Sequence, residues 1–221
     1  MKTIFGLIKG AGAVSGTRAG DEKLDSMMFQ SAFADASRDG AVLVPWEARA
    51  NEVGAKKMPT PRALKLMEAV WSKDKHMSKL SAEAIQKMER FFEFATIPAG
   101  RDIIRQDEHG NFMVVLLSGT IAVDRVQPWG ETLRLTEAKA GDILGEMSLL
   151  DSGMRFSQCS TLTDCELAIL GADALDAMVS YEPTLAANLI SLLARKLSLR
   201  LRLVSARLSE PPARPPAAPT L

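Results

Sequence analysis

Between residues 96 and 171 the apolar residues come in short runs, and a glycine stands at most of the breaks. Such texture admits few folds, because each run is too short for a helix that buries a face and long enough for a strand. IPAGRDIIRQDEHGNFMVVLLSGTIAVDRV (97–126) predicts strands at 102–105, 112–117 and 120–126, with a turn at DEHGN and a break at Ser118-Gly119. QPWGE (127–131) reads as a hairpin turn with Gly130 as its permissive residue. TLRLTEAKAGDILGEMSLL (132–150) continues with a strand and an Ala-Gly-Asp turn, and QCSTLTDCELAIL (158–170) supplies two more strands about Thr163-Asp164. Many short strands at close intervals point to a compact β barrel or jelly roll.

Helical periodicity flanks this block. Leu64, Met67, Val70 and Trp71 fall at helical spacing behind Pro61, and Ile85, Met88, Phe91 and Phe92 do so behind Ser81, a natural N-cap. From Thr184 to Leu208 there are nine leucines and no helix breaker. Leu185, Leu189, Leu192, Leu199 and Leu203 make one stripe, and Leu193, Leu197, Leu201, Val204 and Leu208 make a second beside it. A helix apolar on two sides must bury both. The expectation is one stripe on the β domain and the other on a second copy in a homodimer. The fold class is therefore α+β: a β-roll, a double-stranded jelly-roll-like barrel, with flanking helices and a long C-terminal helix. The divisions expected are a flexible arm at 1–55, a helical extension at 56–76, the β-roll at 77–183, a dimer or lid helix at 184–208 and a Pro-rich tail at 209–221. SEPPARPPAAPTL, with its five prolines, favours extended chain.

Composition narrows the function by exclusion. Formal net charge is zero, which gives no reason to expect a nucleic-acid binder. Distribution is uneven: residues 81–194 carry 8 basic and 17 acidic side chains, whereas residues 195–221 carry 6 and 1. A basic C-terminal piece beside an acidic body fits either an internal contact or an offered surface. Cys159 and Cys165 lack metal-ligand spacing and read as small core residues in a reducing compartment. The two histidines, His76 and His109, stand alone, so a histidine-based metal or catalytic site is not expected. No run of eighteen apolar residues occurs, and the apolar start Ile4–Ile8 is cut by Lys9, too short for a secretory core. A cytoplasmic location is expected.

One stretch carries an electrostatic question. GEMSLLDSGMRFSQCSTL (145–162) holds Glu146 and Arg155 among mostly small and apolar residues. Charges there are costly unless something pairs with them. The block around it resembles the cyclic nucleotide-binding domain of the catabolite activator and protein kinase regulatory subunit superfamily. The resemblance covers about residues 77–208 and lines up in order: PAGRDIIRQ, FMVVLLSGTIAV, AGDILGEMSLLDSGMR, TLTDCELAIL and LARKLSLRLR.

The resemblance implies a phosphate-binding cassette at 145–157. Glu146 would accept from a ribose 2′-hydroxyl, and Arg155 would give a cyclic phosphate two charge-assisted hydrogen bonds. EMSLL would form one turn whose first amides, at Met147 and Ser148, face the phosphate, while Gly145 admits the backbone closely. The alternative is a mutual salt bridge of Glu146 and Arg155 that only holds the turn. Phe156, followed by Ser157, departs from the small residue usual after the arginine; it either folds away as core or crowds the base. Asp107 stands where the family commonly has glycine. Aligning the terminal helix by LARKL puts Arg200 near the base edge, which keeps guanine ligands and cyclic dinucleotides open beside cyclic AMP.

The function expected is a cyclic nucleotide sensor, not an enzyme, with no cofactor and no metal. It would signal through helix rearrangement to an effector protein not named by the sequence. Two other readings stay open: a ligand-independent scaffold that keeps the fold, and a catabolite-activator-like transcription regulator. The last is disfavoured because thirteen residues after Leu208 are too few for a helix-turn-helix domain.

Overall fold

The structure is a computed structural model that describes residues 43–74 and 77–209. The Pro-rich tail and most of the expected N-terminal arm lie outside the described residues. Chain order is α1 (Trp46–Val53), β1 (Lys56–Lys57), α2 (Thr60–Trp71), α3 (Ala82–Lys87), β2 (Glu93–Ile97), β3 (Asp102–Ile104), β4 (Phe112–Ser118), β5 (Ile121–Val126), β6 (Thr132–Ala138), β7 (Ile143–Leu144), α4 (Glu146–Asp151), β8 (Gln158–Thr161), β9 (Cys165–Gly171), α5 (Ala172–Tyr181) and α6 (Pro183–Ser209).

The strands form two antiparallel sheets in the orders β1-β2-β9-β4-β7 and β3-β8-β5-β6. The predicted roll is thus two facing sheets and does not close into a barrel. Phe112, Val114 and Leu116 of β4 belong to the core shared with Ile103, Ile121, Cys159 and Leu167. Met113, Val115 and Leu117, the alternate residues, belong to a second core with Met67, Trp71, Met88, Phe92, Leu189 and Leu193. A strand buried on both faces needs a continuous apolar run, which is why FMVVLL lacks alternation.

Local chemistry sets the helices that cover the outer face. Pro61 stands in the first turn of α2, whose buried residues are Ala63, Met67 and Trp71. The Ser81 hydroxyl accepts from the Ala84 amide at 3.1 Å and caps α3.

Two expectations change. Residues 46–53, placed in a flexible arm, are a helix with Trp46, Arg49 and Val53 buried. Arginine and glutamate in WEARANEV blur its apolar stripe, so only the packing of Trp46 and Val53 into the inter-sheet core identifies it. The two leucine stripes of α6 are also not divided by face. Leu185, Leu189, Leu192 and Leu193 are buried, whereas Leu199, Leu201, Leu203 and Val204 are exposed. Both stripes are covered where the helix lies on the body and both are bare beyond it.

Candidate functional site

Arg155 sits in the loop between α4 and β8, and the fold encloses it on all sides. The residue is 3% exposed. Its Nη1 donates to the Gly145 carbonyl at 2.9 Å, and the guanidinium lies 4.5 Å from the centroid of the Phe112 ring. Nη2 is buried with no hydrogen-bond partner among the described residues. Burial lowers the Arg155 pKa to about 10. An enclosed cation with an unused donor is chemically suited to an anion.

Two glycines make the room. A Cβ on Gly110 would stand 2.6 Å from both Nε and Nη2 of Arg155. A Cβ on Gly145 would stand 2.6 Å from Nη1 and 3.1 Å from the Phe112 carbonyl. Gly145 also has φ +77°, a left-handed conformation that disfavours side chains. Its role at the head of α4 is legible from the sequence. Gly110 shows there only as part of a turn, since its purpose appears when the 107–110 loop meets Arg155.

The backbone around Arg155 is tied as firmly as the side chain. Its amide donates to the Glu108 carbonyl at 2.8 Å and its carbonyl accepts from the Asp107 amide at 2.9 Å. His109 bridges Met154 on one side and Leu43 on the other. Through this ladder α1 reaches the site. Trp46 meets Phe112 edge-on at 5.5 Å between centroids. Arg49, 1% exposed, pairs with Glu52 at 2.6 Å and with Glu108. Sequence reasoning singles out none of Trp46, Arg49, Glu108 or Phe112, because their link to Arg155 is purely tertiary.

Glu146 opens α4 and is 3% exposed. Its carboxylate pairs with Arg200 of α6, not with Arg155. The alternative of a mutual Glu146–Arg155 bridge is therefore set aside: each arginine reaches the cassette from a different element. Arg200 Nη2 also donates to the Ile143 carbonyl at 2.9 Å, and Lys196 donates to the Gly141 carbonyl at 3.1 Å. Arg200, expected at a base edge, thus sits on the carboxylate.

The remaining cassette residues divide by exposure. Ser148 is buried beside Glu146, whereas Met147 is 43% exposed. Phe156 is 51% exposed, which corrects the reading that it folds away as core. Its carbonyl accepts from Arg125, whose guanidinium also lies 4.1 Å from the ring centroid. Ser157 is half-buried on the way into β8. Asp107, in the family's glycine position, has φ +64°, a left-handed turn that aspartate tolerates better than most residues.

Residues 94–182 match the family model of the cyclic nucleotide-binding domain. The chain is 28% identical over 114 residues to the CRP-like cAMP-activated global transcriptional regulator of Mycobacterium tuberculosis, covering 52% of this chain and 51% of that protein. It is 32% identical over 118 residues to the cyclic AMP receptor protein of Thermus thermophilus, covering 53% and 55%. The chain spans about half the length of the curated relatives it matches. A solved cyclic nucleotide-binding domain from Methylobacillus flagellatus KT superposes with a TM-score of 0.64 over 69% of this chain and 86% of that one; at 21% identity the likeness is of fold. Strands β3–β9 and helix α5 all lie within residues 94–182, and this stretch matches the cyclic nucleotide-binding domain in family model and in fold.

Proposed function

We propose that this chain is a regulatory sensor that binds a cyclic nucleotide, cyclic AMP before cyclic GMP or a cyclic dinucleotide, and does no chemistry on it. The observation that carries the reading is the buried Nη2 of Arg155, a cationic donor with no partner among the described residues. A singly charged cyclic phosphate supplies both the missing acceptor and the missing charge. Glu146 takes the ribose 2′-hydroxyl, and the first-turn amides at Met147 and Ser148 add donors toward the phosphate. The two relatives named for cyclic AMP support that choice of base.

Output runs through α6 to a protein partner. The exposed Leu199, Leu201, Leu203 and Val204 suit a second copy of the same helix, so the sensor is a homodimer in this reading. Two buried free cysteines suit a reducing, cytoplasmic setting.

Titration calorimetry of the full chain with cyclic AMP, cyclic GMP and cyclic dinucleotides tests the reading. Binding by the native chain and none by Arg155→Leu supports it. A folded native chain that binds none of these ligands refutes it.

A further inference from the structure

Past Leu193 no described side chain of α6 is fully buried. The helix nevertheless stays on the body for two more turns, and three polar contacts hold it there. Lys196 donates to the Gly141 carbonyl, while Arg200, one turn on, donates to the Ile143 carbonyl and pairs with Glu146. All three acceptors lie in residues 141–146, the segment that leads into the cassette. Arg200 is 47% exposed at its side chain and Glu146 only 4%, so the arginine reaches inward from the surface and covers the carboxylate.

The proposed function makes Glu146 the acceptor for the ribose hydroxyl. Resting on that reading, we propose that Arg200 is an internal competitor for Glu146: it holds the carboxylate that a cyclic nucleotide's 2′-hydroxyl must engage, and ligand binding releases it. The exchange replaces the Arg200–Glu146 ion pair by a hydrogen bond from a neutral hydroxyl at the same buried carboxylate, so ligand binding works against a contact already made and shifts an equilibrium. Arg200 is then an affinity-lowering residue, the opposite sign to a base contact. It also sits among the exposed leucines of α6, so its release frees the segment that carries the signal.

The competition has a chemical signature. If the latch leaves about a tenth of molecules open, the apparent dissociation constant is raised about tenfold. Removing Arg200 recovers that factor only for a ligand that uses Glu146. The test is calorimetric titration of the full chain and of Arg200→Ala with cyclic AMP and with 2′-deoxy-cyclic AMP. Arg200→Ala is expected to bind cyclic AMP about tenfold more tightly and the deoxy analogue less than about twofold more tightly, because Arg200 and the hydroxyl are coupled through one acceptor. Arg200→Lys keeps the charge without the fork and should give a smaller gain in the same direction, which provides a readout if Arg200→Ala does not fold. Weaker or unchanged binding of cyclic AMP by both variants overturns the latch and leaves the sensor reading standing. An equal gain for the two nucleotides also overturns it, as a general loosening of α6 would give that result. Binding of neither nucleotide by native chain or variants overturns the sensor reading, and the latch with it.

Discussion

The Arg155 guanidinium lies 4.5 Å from the centre of the Phe112 ring, and Phe112 in turn packs edge-on against Trp46. A charge that most folds would leave in water is here supported by an aromatic face and enclosed by two glycines. Its cost and its purpose can be separated by experiment.

Arg155→Met should make the protein more stable and useless as a sensor. Folding lowers the Arg155 pKa from the ordinary 12.5 to about 10 because burial penalises the charged form. Between those values the unfolded chain holds more protons than the folded one at this group, so the Arg155 contribution to stability rises with pH there and its cost is fully present below about pH 10. That cost is on the order of 3 kcal/mol, offset in part by the Gly145 hydrogen bond and the Phe112 contact. A net gain of about 1 kcal/mol, or a rise in Tm of a few degrees, is expected on replacing the charge. Thermal melts with and without cyclic AMP check both halves, since the variant should show no shift with ligand. A lower melting temperature without ligand would contradict the account.

Gly110→Ala should damage binding far more than folding. The new methyl group meets the end of the Arg155 side chain, and Gly110 does not need the left-handed conformation. The guanidinium must move, at a stability cost of about 1 kcal/mol, while a misplaced phosphate donor costs roughly tenfold to a hundredfold in affinity. Gly145→Ala adds a left-handed φ and a close backbone carbonyl, so it should lose stability as well. Denaturant melts and calorimetry on the two variants distinguish these outcomes.

Trp46→Ala should weaken a site that lies outside Trp46's own helix. Losing this buried ring costs about 3 kcal/mol or more of stability. It also takes away the edge contact that holds Phe112 under Arg155, so cyclic AMP affinity should fall while Trp46→Phe keeps most of it. Unchanged affinity in a folded Trp46→Ala protein would show that α1 only contributes to the core.

Both cysteines should be silent in the folded protein. Burial pushes the Cys159 thiol up to about 12 and raises that of Cys165 as well. The folded chain therefore keeps thiol protons that the unfolded chain releases from about pH 9 upward, and the cysteines' contribution to stability falls as pH climbs from there toward 12. Ellman's reagent at pH 8 should find no reactive thiol until denaturant is added.

Legibility in the sequence depends on how local a feature is. The strands expected between 102 and 126, the Ser81 cap, the Pro61 helix start and the long terminal helix depend on neighbours within a few residues, and each stands where the periodicity puts it. β1 and β2 do not show in that periodicity, and α3 ends at Lys87, short of the Phe91 and Phe92 expected on its apolar face. Gly145, Glu146 and Arg155 are legible because they share one short segment. Asp107 is legible as a departure, and its left-handed φ supplies the reason glycine is usual there.

Tertiary structure decided the rest. Sequence alone settled that this chain makes a glycine-punctuated roll with a buried acid and a buried arginine, since alternation and turn chemistry act at short range. It could not say that Gly110 clears space for the arginine, that Trp46 supports Phe112 beneath it, or that Glu146 pairs with Arg200 across 54 positions. Those relations join segments far apart in the chain, and whether a charge is satisfied depends on which distant group the fold delivers to it. The same physics set the two stripes of α6, where the edge of the body, and not the pattern of leucines, determines which are buried.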